Sequence, residues 1–468
     1  METNPNQEGV FYTIYSESKV TIQKSKLLEF WENRGYRKLL LKNGDYELVK
    51  ITNNSIVEIV KDFKLADEVR SYLEEQNHSL VFEEFLNKDY ASNALIKLLK
   101  PITIDFNYGT PEQSVFFYNN GVVKITSTSC TIIPYEEHEG YLWKHQITQR
   151  KFIGVSDYAD SEFAKFIYNL CGQNPERFSS LRSIIGYLLH SYKDPSFCPA
   201  VILLDEDLDL SSEEARGGKG KSLFAKAIGK VVPYYFKEGK NMQKSRFFFA
   251  GVEHHHKVIF FDDVNQDFDF ESLFAIITGD FTQEKKYKNE EVIPFEESPK
   301  VLVSSNYMIT GVRGYSSDRR KIEFEIAPFY GKELTPIEDF GHRLFDDWDT
   351  NEWNKFDSFM AYCCKEFLTH GIVYVSDVNL TENKLKQETH PKFIEFIDSE
   401  IQTSGRYDKK VLLSKLRDTY RSIFFGITPN QFSKWLSVWA GYRGYRNEHR
   451  KSNGRQLFIV KLNTESND

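Results

Sequence analysis

Three short, unbroken apolar runs most constrain what this chain can fold into: Ala200-Val-Ile-Leu-Leu204, Lys257-Val-Ile-Phe-Phe261 and Val301-Leu-Val303. A half-exposed strand alternates apolar and polar residues, whereas a continuous run marks a strand covered on both faces. Helical stretches separate the three runs, and buried strands alternating with helices build a parallel α/β sheet. The second run ends in Asp262-Asp263, and the third, Lys300-Val-Leu-Val-Ser-Ser-Asn306, ends in Asn306. Polar side chains are thus delivered to the ends of buried strands.

Between the first two runs lies Ala215-Arg-Gly-Gly-Lys-Gly-Lys-Ser222, followed by Leu-Phe-Ala-Lys-Ala-Ile228. It fits the phosphate-loop pattern [AG]-x4-G-K-[ST], with Ala where the strict form has Gly. Small residues let backbone N–H groups wrap phosphates, a lysine reaches the β- and γ-phosphates, and a hydroxyl holds Mg2+. A helix N-terminus beneath adds a favourable dipole. The expected ATP-binding set is Gly217, Gly218, Lys219, Gly220, Lys221 and Ser222. Asp262 is expected to complete the Mg2+ shell with Ser222, and Asp263 to polarise the attacking water. Asn306 is expected to orient that water. Ser317-Asp318-Arg319-Arg320-Lys321 offers an arginine that can neutralise γ-phosphate charge across a subunit interface, or is simply a solvated basic turn. The cofactors implied are ATP and Mg2+.

Thr278 to Pro294 reads as a hairpin tipped with Lys285, Lys286, Tyr287 and Lys288. The lysines suit phosphates and the tyrosine can stack on a base. Glu284, Glu290 and Glu291 dilute that charge, so a charged surface hairpin is the bland alternative.

The order of phosphate loop, Asp-Asp strand, basic hairpin, Asn-terminated strand and paired arginines resembles a superfamily 3 helicase, an AAA+ ring ATPase of viruses, phages and plasmids. It is most similar to phage and mobile-element primase-helicases of the poxvirus-like group. Arg182-Ser-Ile-Ile-Gly-Tyr-Leu-Leu189, Ile276-Ile-Thr-Gly279 and Phe116-Phe-Tyr-Asn-Asn-Gly-Val-Val123 carry further likeness. The resemblance is strong over 160–365. It implies a homo-hexameric ring with ATP between Lys221, Ser222, Asp262, Asp263 and Asn306 of one subunit and Arg319 or Arg320 of the next. The basic hairpins would line the channel and move single-stranded or forked DNA with 3′-to-5′ polarity.

Two features depart from that pattern. The acidic stretch Asp205-Glu-Asp-Leu-Asp-Leu-Ser-Ser-Glu-Glu214 stands where a tight turn is usual, and reads as an exposed, solvated insertion. Residues before 150 carry neither a His-hydrophobe-His motif nor a convincing Asp-x-Asp pair, so no primase activity is expected and a separate primase or polymerase would supply priming. His254-His255-His256 reads as a polar turn rather than a metal site.

The expected organisation is an N-terminal α+β region (1–155), a helical lead-in (156–198), an AAA+ P-loop core with a parallel sheet (199–375) and a basic winged-helix-like domain (376–468). A helix is expected around Leu65–Glu75, and Asn119-Asn120-Gly121 between apolar runs marks a hairpin. Phe163, Phe166, Ile167 and Leu170, then Ile184, Ile185, Leu188 and Leu189, give helical faces, and 334–375 reads as helical again. In the last domain, Lys409–Phe424 with Val411, Leu412, Leu416 and Tyr420 reads as one amphipathic helix. Thr428-Pro429 opens another, with Phe432, Trp435, Leu436 and Trp439 inward. Arg443–Lys461 reads as a two-stranded wing.

The net charge of -8, from 60 Lys+Arg against 68 Asp+Glu, taken alone argues against nucleic acid. It conceals an asymmetry. Residues 406–461 hold 13 Lys+Arg and three acids, 13 − 3 = +10, leaving -18 for the rest. Lys434, Arg450, Lys451 and Arg455 are the expected DNA contacts of this module; a packing domain with a solvated face is the alternative. The five cysteines have no metal-ligand spacing and fit a reducing compartment. No secretory leader and no apolar run near 18 residues is present, so the expected place is the cytoplasm of a bacterial host, with no membrane partner. The expected function is an ATP-dependent replicative DNA helicase or translocase. The alternatives are an AAA+ initiator or remodeller that loads other factors without unwinding, and a structural DNA-binding protein with a degenerate nucleotide site.

Overall fold

The computed structural model describes residues 10–41, 44–53, 55–207, 218–240, 248–265, 268–284, 291–309, 319–452 and 454–461. The three apolar runs become the inner strands of a five-stranded sheet. Its members are β1 (Ala200–Asp205), β2 (Tyr234–Glu238), β3 (Val258–Val264), β4 (Lys300–Ser305) and β5 (Lys321–Ile326). All neighbours pair in parallel, in the order β2-β3-β4-β1-β5. Every residue of β1 and β4 is buried. The edge strands β2 and β5 escaped sequence reading because Tyr-Tyr-Phe-Lys-Glu and Lys-Ile-Glu-Phe-Glu-Ile carry the charges that sheet edges use. From β1 the chain leaves for the far edge at β2 and returns inward through β3 to β4. That reversal of direction places a crevice at the carboxyl ends of the strands beside β1.

Helices cover one face: α1 (Glu162–Leu170), α2 (Pro175–Leu189), α3 (Lys221–Gly229) and α4 (Thr350–His370). Both expected apolar faces are buried, Phe163, Phe166, Ile167 and Leu170 from α1, and Ile184, Ile185, Leu188 and Leu189 from α2. Ser161 and Asn174 cap the two helices by accepting backbone N–H groups. Gly186 lets α2 and α4 touch, because a Cβ there would stand 2.1 Å from the Cys363 carbonyl oxygen. The stretch 334–375 is less helical than expected: outside Pro336–Phe340 and α4 it forms turns and irregular chain. The opposite face is filled by Phe248, Phe268, Phe270, Leu273 and Ile276.

Residues before 160 form smaller units. Tyr36–Leu40, Tyr46–Thr52 and Ile56–Ile59 make an antiparallel sheet, with Leu142–Trp143 and Pro101–Ile102 added in parallel at its edges. The helix expected near 65–75 runs Phe63–Glu75 and buries Leu65, Val69 and Leu73. The Asn-Gly hairpin is present, Gln113–Tyr118 pairing with Gly121–Thr126, and a third strand, Cys130–Ile133, completes a meander.

Among the three histidines before β3, His255 links these units to the sheet. His254 pairs with Glu297 at 2.7 Å, His255 stacks on His145, and His256 Nδ1 accepts the Glu253 N–H. Burial is the leading cause that pushes His190 and His255 down to about 3 and His256 to about 4. The unfolded chain binds these protons near pH 6.5 and the folded chain does not, so stability falls as pH drops from 6.5 toward 4.5. Deeply buried His190 accounts for about 1.4 kcal/mol per pH unit; His255 and His256, closer to water, add less. Urea midpoints at pH 7, 6 and 5 measure this. A flat profile, or one that His190→Gln fails to flatten, refutes it.

The C-terminal segment has its own core of Leu412, Leu416, Phe432, Leu436, Trp439 and Phe458. It contains α5 (Lys409–Thr419), α6 (Pro429–Tyr442) and an antiparallel sheet in the order Gly405–Asp408, Arg455–Lys461, Arg446–Ser452. The expected 409–424 helix breaks at Tyr420 (φ -125°, ψ 52°), and Arg421–Phe424 forms a separate short turn of helix. Val411 is 53% exposed; the buried face is Leu412, Leu413 and Leu416, one position further round. Thr428 caps α6 as expected, accepting the Gln431 N–H. Among the described residues no helix is long and apolar enough to cross a membrane.

Candidate nucleotide site

The β1–α3 connection, β3 and β4 bring their polar residues together at the carboxyl edge. Gly217 lies outside the described residues. Gly218 and Gly220 have φ of +97° and +98°, a conformation glycine adopts freely. Gly220 also packs tightly: a Cβ there would stand 2.9 Å from both Leu170 Cδ2 and Phe166 Cζ. The loop therefore rests on α1 and aims the N-terminus of α3 along the crevice.

Lys221 opens α3 and is 8% exposed. Its Nζ donates to Asn306 Oδ1 at 2.7 Å and to the Ser305 carbonyl at 3.1 Å, and pairs with Asp205 Oδ1 at 2.7 Å. Burial draws its pKa below the ordinary lysine value, opposed chiefly by Asp205. Ser222 Oγ lies 3.2 Å from each Asp262 carboxylate oxygen. Ser304 Oγ donates to Asp262 Oδ1 at 2.6 Å and accepts the Asp263 N–H at 3.0 Å. A hydroxyl and a carboxylate held this close are the hard oxygen donors that Mg2+ prefers, so the residues present fit that ion.

Asp263 sits in a break of the β3–β4 register, at φ +54°. Such a left-handed non-glycine residue persists only where its surroundings fix it. Here they do: Asn306 Nδ2 donates to Asp263 Oδ1 at 2.9 Å, and Lys240 Nζ pairs with Oδ2 at 2.8 Å. The bulge re-aims the carboxylate out of the sheet plane. Asp262, Asp263, Asn306, Lys221 and Ser222 thus converge as the sequence spacing anticipated.

Asp205, Lys240 and Ser304 were missed. The 205–214 stretch is not solvated at its start: Asp205 is 3% exposed and binds Lys221, Glu206 pairs with Arg177 at 2.7 Å, and Asp207 pairs with Lys219. Residues 208–214 lie outside the described residues. Asp205 ends a buried run, which was the available signal; Lys240 and Ser304 had none.

Arg319 and Arg320 precede β5, at the edge opposite to Lys221. The Arg320 carbonyl accepts the Ala200 N–H at the start of β1, about 16 Å of strand away from Asp205. Arg319 is exposed, whereas the Arg320 guanidinium lies 4.5 Å over the Phe274 ring. Phe281–Gln283 and Glu291–Ile293 form the expected hairpin stem. Lys285, Lys286, Tyr287 and Lys288 lie outside the described residues.

In the C-terminal unit Lys434, Arg450, Lys451 and Arg455 are all exposed, on α6 and both long strands. Four other cations of this segment hold the unit together instead. Arg443 binds Asp398 and Glu382, Lys415 pairs with Glu400, Arg417 donates to the Ile427 carbonyl, and Lys409 reaches Ser433 and His449.

Residues 214–320 match a family model described as a family of unknown function, DUF5906. No curated protein matches the chain. Among solved structures, the apo form of the NrS-1 C-terminal region aligns over 93% of this chain and 98% of its own, at 15% identity and a TM-score of 0.45. The JCV helicase bound to a small molecule aligns over 60% of this chain and 65% of its own, at 11% identity and a TM-score of 0.25.

Proposed function

We propose that the chain is an ATP-dependent DNA helicase or translocase with an AAA+ core, working as a ring in which ATP lies between subunits. The convergence of Lys221, Ser222, Asp262, Asp263 and Asn306 at one crevice carries the reading. Gly218, Lys219, Gly220 and Lys221 would bind the phosphates, and Ser222 with Asp262 would hold Mg2+. The ion would supply charge neutralisation on the phosphate oxygens. Asp263 accepts a proton from the attacking water, and Asn306 keeps that carboxylate turned toward the crevice. Lys221 neutralises charge developing on the γ-phosphate.

The arginines stand a strand's length from the crevice of their own chain, so an arginine acting on a nucleotide would act on a neighbour's. Arg319, exposed, is the better placed of the two, since Arg320 is held on Phe274. The hairpin stem ahead of β4 would present Lys285, Lys286, Tyr287 and Lys288 to single-stranded DNA. The C-terminal unit reads as a winged helix with Lys434, Arg450, Lys451 and Arg455 on phosphates. Priming would come from another protein.

Strand displacement on forked DNA tests the reading. ATP-driven unwinding is expected, lost in the triple variant of Lys285, Lys286 and Lys288 to Ala while basal ATP hydrolysis persists. Hydrolysis without unwinding on any fork would favour an initiator or remodeller instead.

A further inference from the structure

Three consecutive acids, the last residue of β1 and the two that follow it, each hold a cation: Asp205 holds Lys221, Glu206 holds Arg177 and Asp207 holds Lys219. Two of those cations belong to the phosphate loop. Asp205 is buried, and its Oδ1 stands 2.7 Å from Lys221 Nζ. A phosphate oxygen that binds the same Nζ comes within roughly 5.5 Å of that carboxylate, the sum of two charge-assisted hydrogen bonds. Two anions at that distance, with Asp205 and Lys221 both buried, repel strongly. The carboxylates therefore occupy the lysines much as phosphates would.

We infer that Asp205 is an internal phosphate mimic: it competes with the nucleotide for Lys221, weakens nucleotide binding and speeds release of the diphosphate product. The inference rests on the nucleotide reading above. When phosphates enter, Lys221 is drawn from Asp205 and Asn306. When the γ-phosphate departs, Asp205 recaptures Lys221, and the remaining diphosphate loses a contact. Asp207 does the same to Lys219, more weakly because it is half-exposed. A single acid placed here makes the site a less retentive one, suited to repeated cycles rather than to storage of nucleotide.

Equilibrium binding and dissociation of a fluorescent ADP, measured on the full chain, test this. Asp205→Asn keeps the shape and the acceptor oxygen but removes the charge. It is expected to bind ADP about tenfold more tightly and to release it correspondingly more slowly. Asp207→Asn is expected to move both in the same direction by a smaller factor, and it is read even if Asp205→Asn does not fold. Glu206→Gln, which touches Arg177 rather than the loop, is expected to leave affinity unchanged. Unchanged or weaker ADP binding in folded Asp205→Asn, or equal tightening in Glu206→Gln, overturns the inference. If the wild-type chain binds no nucleotide, it is the nucleotide reading itself that fails.

Discussion

Lys221→Ala is expected to lower ATP hydrolysis by about 10³-fold, the scale seen when a preorganised stabiliser of developing charge is removed. The ammonium links two strands at the crevice: it touches Asp205 of β1 and both Ser305 and Asn306 at the end of β4. Asn306 in turn donates to Asp263. Removing the ammonium therefore takes a charge from the proposed phosphate site and frees the residue that aims the proposed base. It also leaves the buried Asp205 without its cation, which costs about 3 kcal/mol of stability. The two effects separate in the double variant Lys221→Ala/Asp205→Asn, which should recover stability and remain inactive. Phosphate release and urea denaturation, run in parallel on both variants, read this out. A loss of less than tenfold in Lys221→Ala would falsify the phosphate-loop assignment.

What the sequence carried, and what it did not, follows from the range of the interactions involved. The inner strands were legible because burial on both faces leaves an unbroken apolar run, and a polar residue ending that run is conspicuous. Asp262, Asp263 and Asn306 stand out in this way, and the fold brings them to one crevice. The edge strands β2 and β5 were not, since their half-exposed faces mix charge with apolar residues in no single pattern. The acidic stretch at 205 misled for a related reason. A run of carboxylates is ordinarily solvated, and only the fold shows that three cations distant in sequence, Arg177, Lys219 and Lys221, converge on it. Likewise α5 stops at Tyr420 rather than running on to Phe424, although apolar residues continue at helical spacing; periodicity does not register a local break in the backbone. The basic count in the C-terminal unit was correct, but charge alone could not divide Arg443, paired with Asp398 and Glu382, from the exposed Lys434, Arg450, Lys451 and Arg455.

The second large effect is expected far from the crevice in sequence. Asp357→Ala, in the middle of α4, should cost about 3–5 kcal/mol of stability, the range for breaking a buried ion pair from one side. Asp357 is 1% exposed and accepts from three donors: Arg150 Nη2 at 2.6 Å, Arg150 Nε at 3.1 Å and Tyr118 OH at 3.0 Å. The guanidinium meets the carboxylate edge-on with two hydrogen bonds, the arrangement that makes such pairs strong. It also lies 4.0 Å over the Trp353 ring. A further bond from Arg150 Nη2, 3.1 Å, reaches the carbonyl of Lys230, the residue that caps the C-terminus of α3. One ion pair thus joins the meander, through Tyr118, to α4 and to the negative end of the helix whose other end begins at Lys221, where the guanidinium charge is favourable. Asp357→Ala strands that cation and the Tyr118 hydroxyl together. Urea denaturation should show the loss, and the paired replacement Arg150→Met/Asp357→Leu should restore much of it by exchanging a buried ion pair for apolar packing. The paired variant should nonetheless bind nucleotide less well than wild type, because α3 has lost the group that pins its far end. A loss below 1 kcal/mol in Asp357→Ala refutes the pair as a structural tie. Wild-type nucleotide affinity in the paired variant refutes its reach to the phosphate loop.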